Sequence, residues 1–172
     1  HLDALHLLGV IAHQGGENDR AVDFITKALN IKPDFAEAHS NLGNILQEMG
    51  RLDEAVASYQ KALTLKPDYA EANYNLGNAL KELGYLDEAV ERYHKALEIK
   101  PSYANAYNNL GIAYKELGRL EEAVTSYHKA LAIEPNYAEA HCNLGTVLQE
   151  LRKLDGAVES YQMALNIKAD FA

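Results

Sequence analysis

Apolar residues recur three and four positions apart, in short runs divided by polar turns, along almost the whole chain. In "AEAHSNLGNILQEM", which starts at Ala36, the residues Ala38, Leu42, Ile45 and Leu46 fall on one stripe of a helix, and Gly50 stops it. The following "LDEAVASYQKALTL" puts Ala55, Val56, Tyr59, Ala62 and Leu63 on a similar stripe, with Asp53 and Glu54 placed to favour a helix start. The spacing predicts two antiparallel helices joined by a tight turn.

That pattern repeats. Gly9, Gly43, Gly77, Gly111 and Gly145 recur every 34 residues, as do Pro33, Pro67, Pro101 and Pro135, and Ala28, Ala62, Ala96, Ala130 and Ala164. Units at 2–35, 36–69, 70–103, 104–137 and 138–171 account for nearly the whole chain, which reads as one array over 1–172. Because His1 and Ala172 cut into the pattern, a fragment of a longer chain is expected. Asp34, Asp68, Ser102, Asn136 and Asp170 are expected to cap the next helix through their side chains. Glu37, Glu71 and Glu139 would complete a capping box, which Asn105 interrupts. Prolines just upstream sharpen each boundary. The glycine series, facing the Ala21, Ala55, Ala89, Ala123 and Ala157 series, allows a close helix crossing. Tyr59, Tyr93, Tyr127 and Tyr161, with Ile25 in the first unit, are expected to fill the volume between adjacent pairs. One helix pair cannot bury its apolar face alone, so stacking into an open, curved solenoid is the predicted outcome.

Composition narrows the function. In 172 residues there are 16 basic and 25 acidic side chains, for a net charge of −9. This balance disfavours nucleic acid as a partner, since phosphate neutralisation needs clustered Lys and Arg. The single cysteine, Cys142, excludes an internal disulfide framework and fits either indifference to redox state or a reducing compartment, the cytoplasm or another inside the cell. No run approaches the length of a membrane span, so no membrane partner is expected.

Catalytic motifs are missing too. The seven histidines form no HExxH and no close Cys/His cluster. Nothing in the sequence pattern marks an activating base for Cys142. The series from Gly9 to Gly145 sits inside helices and lacks the lysine of a phosphate loop, and the repeated "DEA" and "EEA" pairs read as helix-start charges rather than acid and base. The sequence therefore predicts no enzyme, no cofactor and no metal.

Leu42, Gly43, Ala55, Tyr59, Ala62 and Pro67, with their equivalents in the other units, resemble the tetratricopeptide repeat family. The resemblance implies an all-α fold, a TPR alpha-alpha superhelix, that is, a right-handed solenoid of antiparallel helix pairs. It further implies a protein or extended peptide as partner, held on a concave face made mainly by the first helix of each pair. Departures are Leu5, His39, Asn73 and His141, where the family often has a large aromatic that only Tyr107 retains. Arg152 replaces a turn glycine, where a left-handed backbone would cost about 1–2 kcal/mol, and Ala169 replaces a linker proline.

The wording "YNLGNALKELGYLDEAVERYHKALEIKP" is further similar to the non-catalytic repeat region of O-linked N-acetylglucosamine transferases. In that family a row of asparagines lines the groove and contacts peptide backbone. Here the row is Asn41, Asn75, Asn109 and Asn143, with Leu7 in its place in the first unit. A carboxamide both donates and accepts, so it pairs with a peptide backbone without demanding a side chain. The same chemistry would serve bonding between repeats, and both roles stand at this point. Asn44, Asn78, Tyr74 and Asn108 are neighbouring candidates, while Ile112, Thr146, Ser40 and Cys142 vary at the same positions. Glu37, Glu71 and Glu139, together with Glu48, Glu82, Glu116 and Glu150, would give the face negative potential and favour a basic or polar segment. A carboxylate clamp of the chaperone-binding kind is disfavoured, because Ser40, Asn44, Glu71, Asn75 and Asn105 stand where it needs basic residues. Self-association through the repeat ends is a further expected mode.

Overall fold

A computed structural model describes residues 1–170, with side chains through Ala169; the expected cap at Asp170 lies outside the described side chains. The chain forms two compact units, His1–Tyr85 and Leu86 onward. The first contains α1 (Leu2–Gln14), α2 (Asn18–Ile31), α3 (Ala36–Glu48), α4 (Leu52–Leu65) and α5 (Ala70–Glu82). The second contains α6 (Leu86–Ile99), α7 (Ala104–Glu116), α8 (Leu120–Ile133), α9 (Ala138–Glu150) and α10 (Leu154–Asp170). Every regular element among the described residues is a helix, as the periodicity requires.

Within the first unit α1 pairs with α2 and α3 with α4, while α2 packs on α3 and α4 on α5. The second unit repeats the scheme: α7 pairs with α8 and α9 with α10, while α6 packs on α7 and α8 on α9. The first helices of successive pairs also touch, α1 with α3 and α3 with α5 in one unit, α7 with α9 in the other. Those last contacts set polar side chains of neighbouring repeats side by side.

Close approach explains the glycine series. A Cβ on Gly43 would stand 2.5 Å from the Tyr59 ring, and one on Gly111 2.6 Å from the Tyr127 ring. Tyr59 and Tyr127 thus cross the glycine of their own helix pair. Tyr59 is also joined to Leu76 and Ala79 of the next helix in one buried cluster, so the volume it fills lies both within and between pairs. In the first pair Ile25 does the same against Gly9.

The helix starts differ from the expectation. The N-cap residues are Phe35, Tyr69, Tyr103 and Tyr137, and none makes a side-chain cap bond. Asp34, Asp68, Ser102 and Asn136 stand one residue too early. The first helical bonds run instead to aromatic carbonyls, for example from the His39 amide to Phe35 at 3.1 Å and from the Asn73 amide to Tyr69 at 3.1 Å. Three of these rings carry a lysine from the end of the preceding helix: Lys32 on Phe35, Lys66 Nζ at 4.6 Å from the Tyr69 ring centre and Lys100 Nζ at 4.4 Å from that of Tyr103. No capping box forms at Glu37, whose carboxylate accepts from its own backbone amide and is held below the usual carboxylate range.

Turns inside the pairs keep a left-handed residue, Gly50 at φ 72° and Gly118 at φ 74°. Arg152 adopts φ 58° in the last pair, so the chain retains the turn geometry without the glycine. Ala169 has the opposite consequence. With no proline there, α10 runs on to Asp170, 17 residues against 14 for α8.

Candidate peptide-binding face on the first helices

On α3 the positions 41, 44 and 48 are three and four residues apart, so Asn41, Asn44 and Glu48 share a side, with Gln47 beside them. Asn75, Asn78 and Glu82 repeat that arrangement on α5. The α1–α3 and α3–α5 contacts bring the two rows together. Asn41 Nδ2 donates to His6 Nε2 of α1 at 2.9 Å, and Asn75 Nδ2 donates to Asn44 Oδ1 at 2.9 Å. The Tyr59 hydroxyl reaches up from α4 to the same Oδ1 at 2.8 Å and to Gln47 Oε1 at 3.0 Å. Gln47 donates to Glu82, and His13 lies 3.4 Å from Glu48.

These groups border an open pocket of about 510 Å³ lined by His13, Asn44, Gln47, Glu48, Tyr59, Asn75 and Glu82. Its lining includes one histidine and two carboxylates. Burial, with Glu82 and Glu48 adding to it, pushes the Tyr59 hydroxyl above its ordinary pKa, so it remains a neutral donor. Burial likewise outweighs Glu37 and Asp3 at His6 and lowers its pKa, which suits the acceptor role that Asn41 requires of Nε2.

The second unit varies the theme. Asn143 Nδ2 donates to Asn108 Oδ1 at 3.1 Å, and Asn108 Nδ2 lies 3.3 Å from Glu139 Oε1. Asn108 has no exposed surface, so its carboxamide serves the junction of α7 with α9. Lys115 pairs with Glu150 at 3.3 Å, the counterpart of Gln47 with Glu82. Where the first unit has Asn44, the second has Ile112 and Thr146. Tyr161 donates to Thr146 Oγ1 at 3.2 Å, whereas the Tyr127 hydroxyl, opposite Ile112, is buried with no partner.

Tyr74, Asn78 and Asn109 are half-buried and engaged in interactions of their own. Thus the asparagines of the row lie on the first helices, and Asn41, Asn75 and Asn143 each use one N–H to hold the preceding repeat. His6, His13 and Gln47 complete the face, although the sequence reading did not single them out. Their only signal was the repeat offset: His13 and Glu48, Gln47 and Glu82, and Lys115 and Glu150 are each 35 residues apart. The glutamates read as a negative lining are therefore partly paired.

Among the described residues no group of three or more His, Cys, Asp or Glu is placed to hold a metal ion. Cys142 is a free, half-buried thiol. No helix among them is long and apolar enough to cross a membrane.

Helix pairs stacked in register, with polar rows across their first helices, define an α-helical repeat scaffold. TPR repeat profiles match at residues 9–50, 43–84, 77–118 and 113–152, and a tetratricopeptide repeat profile matches at 138–171. The chain belongs to the tetratricopeptide repeat family. Among solved structures it is similar to MamA, with 27% identity, a TM-score of 0.89 and 95% of each chain covered. It is similar also to PilF of Pseudomonas aeruginosa, with 26% identity, a TM-score of 0.88, and 96% of this chain and 75% of that one covered. YrrB, a TPR protein with an unusual peptide-binding site, shares the fold at 24% identity and a TM-score of 0.81, over 96% of this chain and 86% of its own. No curated protein matches the chain.

Proposed function

We propose that the chain is a non-catalytic scaffold that binds a peptide or partner protein through the first-helix faces of its units, α1, α3 and α5 in one and α7 and α9 in the other. The observation that carries this reading is that bonds to the preceding repeat hold three asparagines of the row in place. Asn41, Asn75 and Asn143 each give one N–H to the preceding repeat, which fixes the carboxamide, while the amide's second N–H and its carbonyl oxygen suit a peptide backbone. Bonding within the stack and recognition are then not rivals, because the first preorganises the second. Asn44, Asn78, Asn109 and Tyr74 belong to this surface, and Asn108 supports it from beneath. Glu48 and Glu82 at the open pocket favour a segment carrying basic side chains. A cytoplasmic home, suggested by the lone thiol, is part of the same proposal.

The test is partner capture from the source cell, then affinity measurement with Asn75→Ala and Asn109→Ala. About five- to tenfold weaker binding per substitution, with helicity unchanged, is the expected result, in line with roughly 1 kcal/mol for a hydrogen bond. Unchanged affinity in folded variants removes the row from the site.

A finer reading, a substrate-recruiting arm of an O-linked N-acetylglucosamine transferase-like enzyme, is supported by the asparagine row and the repeat wording alone. A glycosyltransferase domain in the same open reading frame is its requirement, and sequencing the frame decides it.

A further inference from the structure

On α7 the side opposite Asn109 and Ile112 carries Tyr107, Leu110 and Tyr114, three and four residues apart. They line an open pocket of about 350 Å³ between α6 and α8, apart from the first-helix face. Leu97 of α6 and Leu110 give it an apolar base, 7% and 2% exposed. His94 Nε2 is hydrogen-bonded to the Tyr114 hydroxyl at 2.8 Å, and the two rings meet edge to face, so one wall is aromatic.

The same groove recurs one repeat on, between α8 and α10, as a pocket of about 460 Å³. His128, Leu131 and Leu144 repeat His94, Leu97 and Leu110 there, but His141, Leu148 and Met163 replace Tyr107, Tyr114 and Lys129. On α3 and α5 the two tyrosine positions hold His39 and Leu46, and Asn73 and Leu80. Stacking of the repeats thus supplies the groove, and two tyrosines with a lysine are what this one junction adds.

The charges around the pocket are matched except for one. Glu122 pairs with Arg119 at 2.8 Å and Glu98 with Lys95 at 2.7 Å. Burial, opposed by Glu98 and helped by Lys129 and Arg119, lowers the His94 pKa, so that ring is neutral near neutral pH. Lys129 is exposed, with Nζ 5.5 Å from the Tyr107 ring centre and, among the described residues, no carboxylate in ion-pair reach.

We propose that this pocket receives one aromatic side chain of a partner protein, whose neighbouring acidic residue pairs with Lys129. The rings of Tyr107 and Tyr114 favour an aromatic group, and the unmatched ammonium favours a carboxylate over a cation. The volume, near the lower end for ligand pockets, suits a single side chain rather than a chain running through it.

The test titrates the isotope-labelled chain with the end-blocked tripeptide Asp-Phe-Asp and follows backbone amides by NMR. Shifts should centre on Leu97, Leu110 and Ser126 and spare Leu144 and Leu148 of the neighbouring groove. Lys-Phe-Lys and Asp-Ala-Asp should each bind about fivefold more weakly, as the loss of a surface charge pair or of an aromatic contact implies. Lys129→Glu, at an exposed site, should reverse the preference between the two charged peptides. Tyr107→His, which this backbone position accepts at His39 and His141, should weaken Asp-Phe-Asp about threefold with helicity unchanged. Absent shifts at this groove, equal shifts in both grooves, equal binding of either control peptide, or an unchanged preference in Lys129→Glu would each overturn the proposal.

Discussion

Asn75 Nδ2 lies 2.9 Å from Asn44 Oδ1, joining α5 to α3 through a pair of carboxamides 31 residues apart. Asn44 accepts from the buried Tyr59 hydroxyl as well, so the two partners are unequal. Asn44→Ala should cost about 1–2 kcal/mol, since it strips partners from both neighbours, and Asn75→Ala about 0.5–1.5 kcal/mol, since Asn44 retains Tyr59. Urea midpoints of the two variants measure the order. A larger loss for Asn75→Ala contradicts it.

Glycines of two kinds should respond differently to alanine. At Gly111 the new Cβ would meet the Tyr127 ring at 2.6 Å, and overpacking of about 1–3 kcal/mol is expected. At Gly118 the space is open but φ is 74°, so the loss of about 1–2 kcal/mol comes from the backbone. Arg152, at φ 58°, is the natural example of that second cost. Arg152→Gly should raise the unfolding temperature, and a lower one would show that the arginine side chain stabilises the turn in another way.

The sequence reading reached the helix pairs because glycine, alanine and tyrosine recur at one interval and each has a single packing consequence. It placed the caps wrongly. Asp34 has cap chemistry, but a chain leaving Pro33 begins its helix only after Phe35, whose ring Lys32 covers, and backbone geometry rather than side-chain type decides that register. The asparagine row was visible as a repeat, yet its partners were not. His6 and Gln47 are unremarkable residues until the first helices touch, and only that contact turns a 35-residue offset into a bond.

Two histidines should make stability depend on pH. His6 accepts from Asn41, and His94 is hydrogen-bonded to Tyr114 at 2.8 Å. Burial lowers the pKa of both below the ordinary 6.5. The unfolded chain therefore takes up protons first as pH falls. This contribution is fully present above about 6.5 and is lost as pH drops through that value toward the lower folded pKa. Unfolding temperatures recorded from pH 7.5 to 5.5 should fall, and His6→Leu or His94→Leu should each flatten the slope. An unchanged slope in both variants excludes these residues as its source.

Tyr59 and Tyr127 occupy equivalent positions and differ in one respect. The Tyr59 hydroxyl has two acceptors within reach, Asn44 and Gln47, while the Tyr127 hydroxyl has Ile112 and Lys115 in those places and finds no partner. A buried hydroxyl without a hydrogen bond destabilises the folded state, whereas a bonded one is worth about 1 kcal/mol. Tyr59→Phe should therefore lose about 0.5–1.5 kcal/mol, and Tyr127→Phe should be neutral or stabilising. Ile112→Asn would restore the acceptor that Asn44 supplies in the first unit. In that background Tyr127→Phe should become costly, and the coupling energy from the double-mutant cycle measures the new bond directly. Equal losses for Tyr59→Phe and Tyr127→Phe would mean that the two hydroxyls are satisfied alike.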